Sequence, residues 1–196
     1  MPELTFRQAN EEDVPLILEF IKKLADYEHR LDEVIATEDA LKYWIFDKNQ
    51  AEVIFALENG KEIGFAFFFL SFSTYIANVN MHLEDLFIDP EYRGKGYGKA
   101  LLRELAKIVK ERGYGRFEWT CLDWNQPSKD FYNSLGAEEK NWDVFHFTGQ
   151  ALDDFVNEKW LIFSSFFDVF HGFYFIFYLI FILFFYSFLQ TIFLFI

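Results

Sequence analysis

Charge stops abruptly near residue 160. Of the 18 basic and 31 acidic residues in this 196-residue chain, every one but Asp168 lies at or before Lys159, while 13 of the 28 Phe fall between Phe163 and Phe195. A chain so divided does not follow one polar-apolar pattern, and its two parts have to be read separately. About 160 residues suffice for one domain with a sizeable core, whereas dividing them again would leave two thin ones. The break sets the expected boundaries: a folded domain over residues 1–160 and an apolar, Phe-rich tail over 161–196.

With Asp168 set aside, the folded part carries 18 Lys and Arg against 30 Asp and Glu. That balance argues against nucleic acid or acidic membranes as partners, and it suits either a small cationic ligand or simple solubility. Cys121 is the single cysteine. No disulfide can form within the chain and no Cys-based zinc site can assemble, so no metal is implied. The first ten residues show polar-apolar alternation without a basic and then apolar signal, and a cytoplasmic location is expected.

Leu4 to Gln8 alternates like a strand. Asn10 with Asp13 three residues on forms a capping pair, after which Val14, Leu16, Ile17, Phe20, Ile21 and Leu24 recur at helical spacing. Thr37 can cap a second helix through Trp44. Val53–Leu57 and Ile63–Phe72 are β-branched and aromatic runs separated by Asn59-Gly60, which suits a hairpin turn. Val79–Ile88 predicts a strand, Gly98–Arg112 a helix ended by Gly113, Arg116–Leu122 a strand, Pro127–Leu135 a short helix stopped by Gly136, and Trp142–Phe147 a last strand. The order β-α-α-β-β-β-α-β-α-β predicts an α/β (α+β) fold with a mixed, mostly antiparallel sheet flanked by helices, an architecture shared by many functions.

Between the strand ending at Ile88 and the following helix lies Arg93-Gly94-Lys95-Gly96-Tyr97-Gly98. Glycine at alternate positions uncovers backbone N–H groups at a helix N-terminus, where the helix dipole also favours an anion, and a pyrophosphate suits such a turn. The spacing fits neither the dinucleotide fingerprint, because Lys99 stands at its third glycine, nor a Walker loop, because Gly96 follows Lys95.

Arg93-x-x-Gly96-x-Gly98 resembles the acetyl-CoA loop of the GNAT superfamily of N-acetyltransferases. The likeness extends to Leu83-Glu84-Asp85-Leu86-Phe87-Ile88, Trp124-Asn125-Gln126-Pro127-Ser128 and Phe131 to Ala137, which resemble the diamine acetyltransferase branch, and Leu24–Glu33 resembles its N-terminal substrate segment. It covers residues 3 to about 150. The resemblance implies a GNAT fold and acetyl transfer from acetyl-CoA directly to a primary amine of a small diamine, polyamine or lysine-like acceptor. It also implies a homodimer.

By the same resemblance Tyr132 is the acid that protonates the departing thiolate. Taken alone it reads rather as a core tyrosine whose hydroxyl finds a partner. Glu84 would stand beside the amine, either accepting its proton through water or only binding the cation. Leu86, Phe87 and Ile88 would present backbone groups to the acetyl and pantetheine portion. Gly94, Lys95, Gly96, Tyr97, Gly98 and Lys99, with Arg93, would hold the pyrophosphate, and Asn125, Gln126 and Pro127 would flank the cofactor. Tyr27, Glu28, Glu33, Glu84 and Asp85 are the candidates for amine recognition, with a solvated helical face the plain alternative for Glu28 and Glu33.

Relatives that acetylate polyamines place an acid just before an aromatic in the segment matching Ser73 to Tyr75, and that acid is missing here. Leu122-Asp123-Trp124-Asn125-Gln126 resembles the thialysine-acetylating relatives instead. A protein lysine or N-terminal acetyltransferase, and a non-catalytic acetyl-CoA-binding module, are the other readings.

After Asp168 no charged residue follows through Ile196, a length sufficient for a helix to span a bilayer. Membrane contact through residues 161–196 is one expectation. The other is an out-of-frame extension, because Phe, Ile, Leu, Tyr and Ser dominate what AT-rich DNA encodes out of frame.

Overall fold

A computed structural model describes residues 2–140 and 142–157. The chain falls into two units, Met1–Ala137 and Glu138–Ile196, and the sheet belongs entirely to the first. The expected tail from residue 161 lies outside the described residues. Among those described, no helix is long and apolar enough to cross a membrane.

Strand β1 (Leu4–Gln8) leads into the predicted cap. The Asn10 side chain accepts from the Glu12 N–H at 2.9 Å, while the Asp13 carboxylate accepts from the Asn10 N–H at 2.8 Å. One 3-10 turn later, helix α1 (Val14–Tyr27) begins with Pro15 in its first turn, where a missing N–H does no harm. Asp13 also receives both Nη groups of Arg7 at 2.7 and 2.8 Å, so strand and helix are tied by one carboxylate, which Arg7 holds below its usual range. Thr37 accepts from the Ala40 N–H at 3.2 Å and starts α2 (Glu38–Lys42), which continues as a wider turn over Tyr43–Asp47.

Strands β2 (Glu52–Glu58) and β3 (Lys61–Ser73) form the expected hairpin, with φ of 52° at Asn59 and 83° at Gly60. Strand β4 (Asn78–Ile88) runs antiparallel to β3, helix α3 (Tyr97–Glu111) crosses back, and β5 (Arg116–Trp119) lies parallel to β4. The sheet order is β1-β2-β3-β4-β5. Helix α4 (Gln126–Ser134) follows.

The expected last strand at Trp142–Phe147 does not exist. Its alternation supplies the face pattern of a strand, but a strand also needs a hydrogen-bonded neighbour; among the described residues no ladder includes this segment, and Trp142, Val144, Phe145 and Phe147 are exposed. The next element is instead a helix, α5 (Gly149–Asn157), which the sequence reading omitted although Leu152, Phe155 and Val156 stand at i, i+3 and i+4.

Each face of the sheet has its own core. Met81 and Leu83 of β4 pack with Leu101, Leu102 and Leu105 of α3. On the other face Phe20 of α1 stacks on Phe65 at 5.4 Å, with Phe55 and Phe87 around it. Each such buried side chain contributes about 1.5–3 kcal/mol. Helices therefore cover both faces of a mixed, mostly antiparallel sheet, as the sequence pattern predicts.

Candidate active site

Strand β4 organises the site, and it does so by departing from regular pleating. Phe67 of β3 pairs with Asp85 and Phe68 pairs with Leu83, which leaves Glu84 as an extra residue in a β-bulge. In a regular strand Asp85 would follow Leu83 onto the α3 core. The extra residue turns it to the opposite face, beside Phe67, so Glu84 and Asp85 are presented together. The Asp85 carboxyl is pushed up to about 7, by burial first and then by the Glu84 and Glu28 carboxylates. Burial also raises Glu28, opposed by Arg30. Two further carboxylates, one from β4 and one from the end of α1, therefore bear on Asp85 and disfavour its ionised form.

Beyond the bulge β4 loses one neighbour. The β5 ladder stops at Leu83↔Trp119, so among the described residues the edge of Glu84–Ile88 that would have faced β5 has no strand partner. Leu86 is half-buried, and Phe87 and Ile88 are buried. Their side chains are core, as their apolar character implies, and it is the backbone edge that is open to a ligand.

The glycine turn follows. Gly94 and Gly96 have φ of 77° and 84°, and Gly96 is the residue before α3. A Cβ on either would meet nothing within 4 Å, so these glycines satisfy the backbone conformation and leave open space in front of it. The first helical bond runs from the Ala100 N–H to the Gly96 carbonyl at 3.0 Å. Among the described residues no backbone acceptor takes the N–H groups of Gly94, Lys95, Gly96, Tyr97, Gly98 or Lys99. Side chains turn away from this cradle: Lys95 Nζ donates to Glu58 at 3.1 Å, and the Tyr97 hydroxyl donates to the same carboxylate. Lys99 is exposed.

Arg93 does something other than bind an anion with its side chain. Its Nε donates to the Ile88 carbonyl at 2.8 Å, and its guanidinium lies 4.7 Å from the Tyr27 ring and 5.3 Å from the Phe87 ring. The arginine thus holds the end of α1 against the end of β4.

Tyr132 on α4 packs against Trp119 at 5.1 Å and Phe131 at 5.4 Å. Its hydroxyl is pushed up to about 12, chiefly by burial and then by Cys121 and Tyr27. It is fully protonated at neutral pH and available as a donor. Asn125, 7% exposed, accepts from the Ser128 N–H at 3.3 Å and so caps α4, Gln126 is tied to Asp130 at 2.7 Å, and Pro127 occupies the first turn.

The structure brings Tyr27, Glu28, Glu84, Asp85 and Tyr132 into one neighbourhood. Glu33 is the exception. Its carboxylate accepts from Arg30 Nε at 2.9 Å and Nη2 at 2.6 Å, an exposed pair that occupies both oxygens. Two residues escaped the sequence reading: Cys121 beside Tyr132, and His82, whose Nε2 lies 3.9 Å from Glu84 Oε2. Strand alternation from Glu84 back to His82 is the signal that would have found the second.

The model of the Acetyltransferase (GNAT) family matches residues 18–137. The chain belongs to the GNAT acetyltransferase family. This GNAT enzyme is an acetyl-CoA-dependent N-acetyltransferase, and its fold is the GNAT fold. It is 32% identical over 171 residues to a thialysine N-epsilon-acetyltransferase of Sus scrofa, covering 81% of this chain and 100% of that protein. To an L-ornithine N5-acetyltransferase of Arabidopsis thaliana it is 28% identical over 193 residues, covering 74% and 85%. Among solved structures an integron cassette protein of V. cholerae superposes with a TM-score of 0.67 at 25% identity, covering 79% and 98%. Open N–H groups at the N-terminus of α3, with unfilled space at Gly94 and Gly96, suit the pyrophosphate of the acetyl-CoA that GNAT acetyltransferases use.

Proposed function

We propose that this enzyme moves the acetyl group from acetyl-CoA directly to the terminal amine of a small cationic acceptor, a lysine-like amine such as thialysine in first place, with diamines and polyamines of the same class. One observation carries the reading. Tyr27 and Glu28, consecutive at the end of α1, bear respectively on Tyr132 and on Asp85, so one turn connects the proton donor to the carboxylate cluster. The names of the relatives support it, since thialysine and ornithine are both amino acids with a terminal amine.

In this reading the cradle of Gly94–Lys99 holds the pyrophosphate, the open edge of Leu86–Ile88 takes the pantetheine arm, and Asn125–Pro127 flank it. Acetyl-CoA supplies the thioester whose carbonyl carbon is attacked. Glu84 and Asp85, with Glu28, hold the acceptor ammonium, and one of its protons leaves by way of Glu84. The freed lone pair forms the N–C bond as the C–S bond breaks toward sulfur. Tyr132 Oη protonates that sulfur and recovers a proton from the new amide nitrogen, so that one proton in all is released. Residues 1–160 carry the whole activity, with residues 161–196 outside it.

The test is coenzyme A release by the full chain, kept in mild detergent because of its apolar C-terminal residues, with thialysine, lysine, ornithine, putrescine, spermidine and a lysine peptide. Small amines should turn over at least about tenfold faster than the peptide in kcat/KM, a difference that pocket contacts readily supply. Acetylation of the peptide alone would contradict the reading.

A further inference from the structure

The acceptor face holds one titratable side chain that the reaction above does not use. His82 stands two residues before Glu84 on β4. Its neighbours Met81 and Leu83 belong to the α3-side core, so His82 faces the other way, onto the side to which the bulge turns Asp85. Its ring stacks on Phe69 with centroids 4.8 Å apart and planes at 30°, its side chain is 20% exposed, and Nε2 lies 3.9 Å from Glu84 Oε2.

The carboxylate across from His82 on β5 is already engaged. Glu118 of β5, opposite His82 in the parallel register, accepts from Ser71 Oγ at 2.9 Å, from Arg116 Nη1 at 3.0 Å and from Asn80 Nδ2 at 3.5 Å. Phe67 and Phe69 face it from β3 without charge. From the end of α1, Glu28 bears on Asp85. Asn80, 2% exposed, keeps an Oδ1 without a partner on the same face. Among the described residues Glu84 is therefore the carboxylate that His82 meets, at a distance longer than a hydrogen bond and suited to one bridging water or a small rotation of the exposed Glu84 side chain.

We propose that His82 is the proton-relay residue of the acetyl transfer: the proton that leaves the acceptor ammonium at Glu84 passes to His82 Nε2 and from there to solvent. The proposal rests on the amine-acetyltransferase reading above. Alkylammonium groups ordinarily hold their proton to about pH 10.4, carboxylates to about 4.3 and imidazoles to about 6.5, so a carboxylate alone is a poor terminus for this proton and an imidazole stands about two units nearer. No bond other than N–H and O–H changes in the relay. Glu84 ends as it began, and the partial exposure of the His82 side chain gives the proton a way out. His82 acts through Glu84 and is a positioning and relay residue, distinct from the groups that touch the acetyl.

The experiment compares the full chain with His82→Phe, which keeps the ring stack on Phe69, and with His82→Gln, at pH 7.5 and pH 10. At pH 7.5 both variants should lose about 10- to 100-fold in kcat with KM for the amine within about twofold; at pH 10, where much of the amine arrives neutral, the loss should shrink below about threefold. Equal losses at the two pH values, or none at pH 7.5, would overturn the relay. A wild type inactive on every amine overturns the acetyltransferase reading and the relay with it, whereas an active wild type matched by His82→Phe overturns the relay alone.

Discussion

The glycine turn at Gly94–Gly98 and the bulge at Glu84–Asp85 flank the same end of β4 and treat charge in opposite ways. The turn offers backbone: among the described residues its N–H groups have no backbone acceptor, a Cβ on Gly94 or Gly96 would meet nothing within 4 Å, and Lys95 is tied to Glu58. The bulge offers side chains, setting Asp85 under the influence of the Glu84 and Glu28 carboxylates. A site made of backbone dipoles is ready before its ligand arrives and hardly responds to pH. A site made of crowded carboxylates is completed by its cation and titrates with it.

Each half of that contrast can be broken separately. Tyr132→Phe, which removes the hydroxyl proposed to protonate the departing thiolate, should lower kcat at least about 100-fold while KM for acetyl-CoA stays within about twofold in steady-state assays. Asp85→Asn acts on the bulge alone. Because Asp85 is pushed up to about 7 from an ordinary 3.8, the folded state holds a proton that the unfolded chain has lost between those values. Stability linked to this group is therefore full below about pH 3.8 and is lost as pH rises through about 7. Asp85→Asn should match the wild type near pH 4 and exceed it by on the order of a few kcal/mol above pH 8, as thermal melts across pH will read. Gly96→Ala acts on the turn alone: with φ of 84° and open space around the new methyl, it should raise KM for acetyl-CoA about tenfold and leave KM for the amine unchanged. Glu33→Gln should change kcat/KM by less than about twofold, since its carboxylate is occupied by Arg30 outside the cluster.

The same contrast explains how much could be read from the residues in order. The conformation of the turn was legible because it is local: glycines at alternate positions between a strand and a helix permit the positive φ angles seen at Gly94 and Gly96. The Asn10 and Thr37 caps and the Asn59-Gly60 hairpin were legible for that reason too. The bulge was not, because it arises from the register of β4 against β3, and nothing in Leu83-Glu84-Asp85 states which side each carboxylate takes. Arg93 reads as an anion binder by its place in the motif, yet its guanidinium joins Tyr27 to Ile88 through contacts distant in sequence. Trp142–Phe147 carries the periodicity of a strand, but its pairing depends on a partner that periodicity does not supply.

In the proposed mechanism acetyl passes in one step from acetyl-CoA to the amine, with Tyr132 as proton donor. Initial velocities with acetyl-CoA and thialysine varied together, with the mass of the protein measured after acetyl-CoA alone, test it most directly. Direct transfer predicts intersecting double-reciprocal lines and an unmodified protein mass. Parallel lines with an acetyl group on the protein, at Cys121 beside Tyr132 above all, would contradict it.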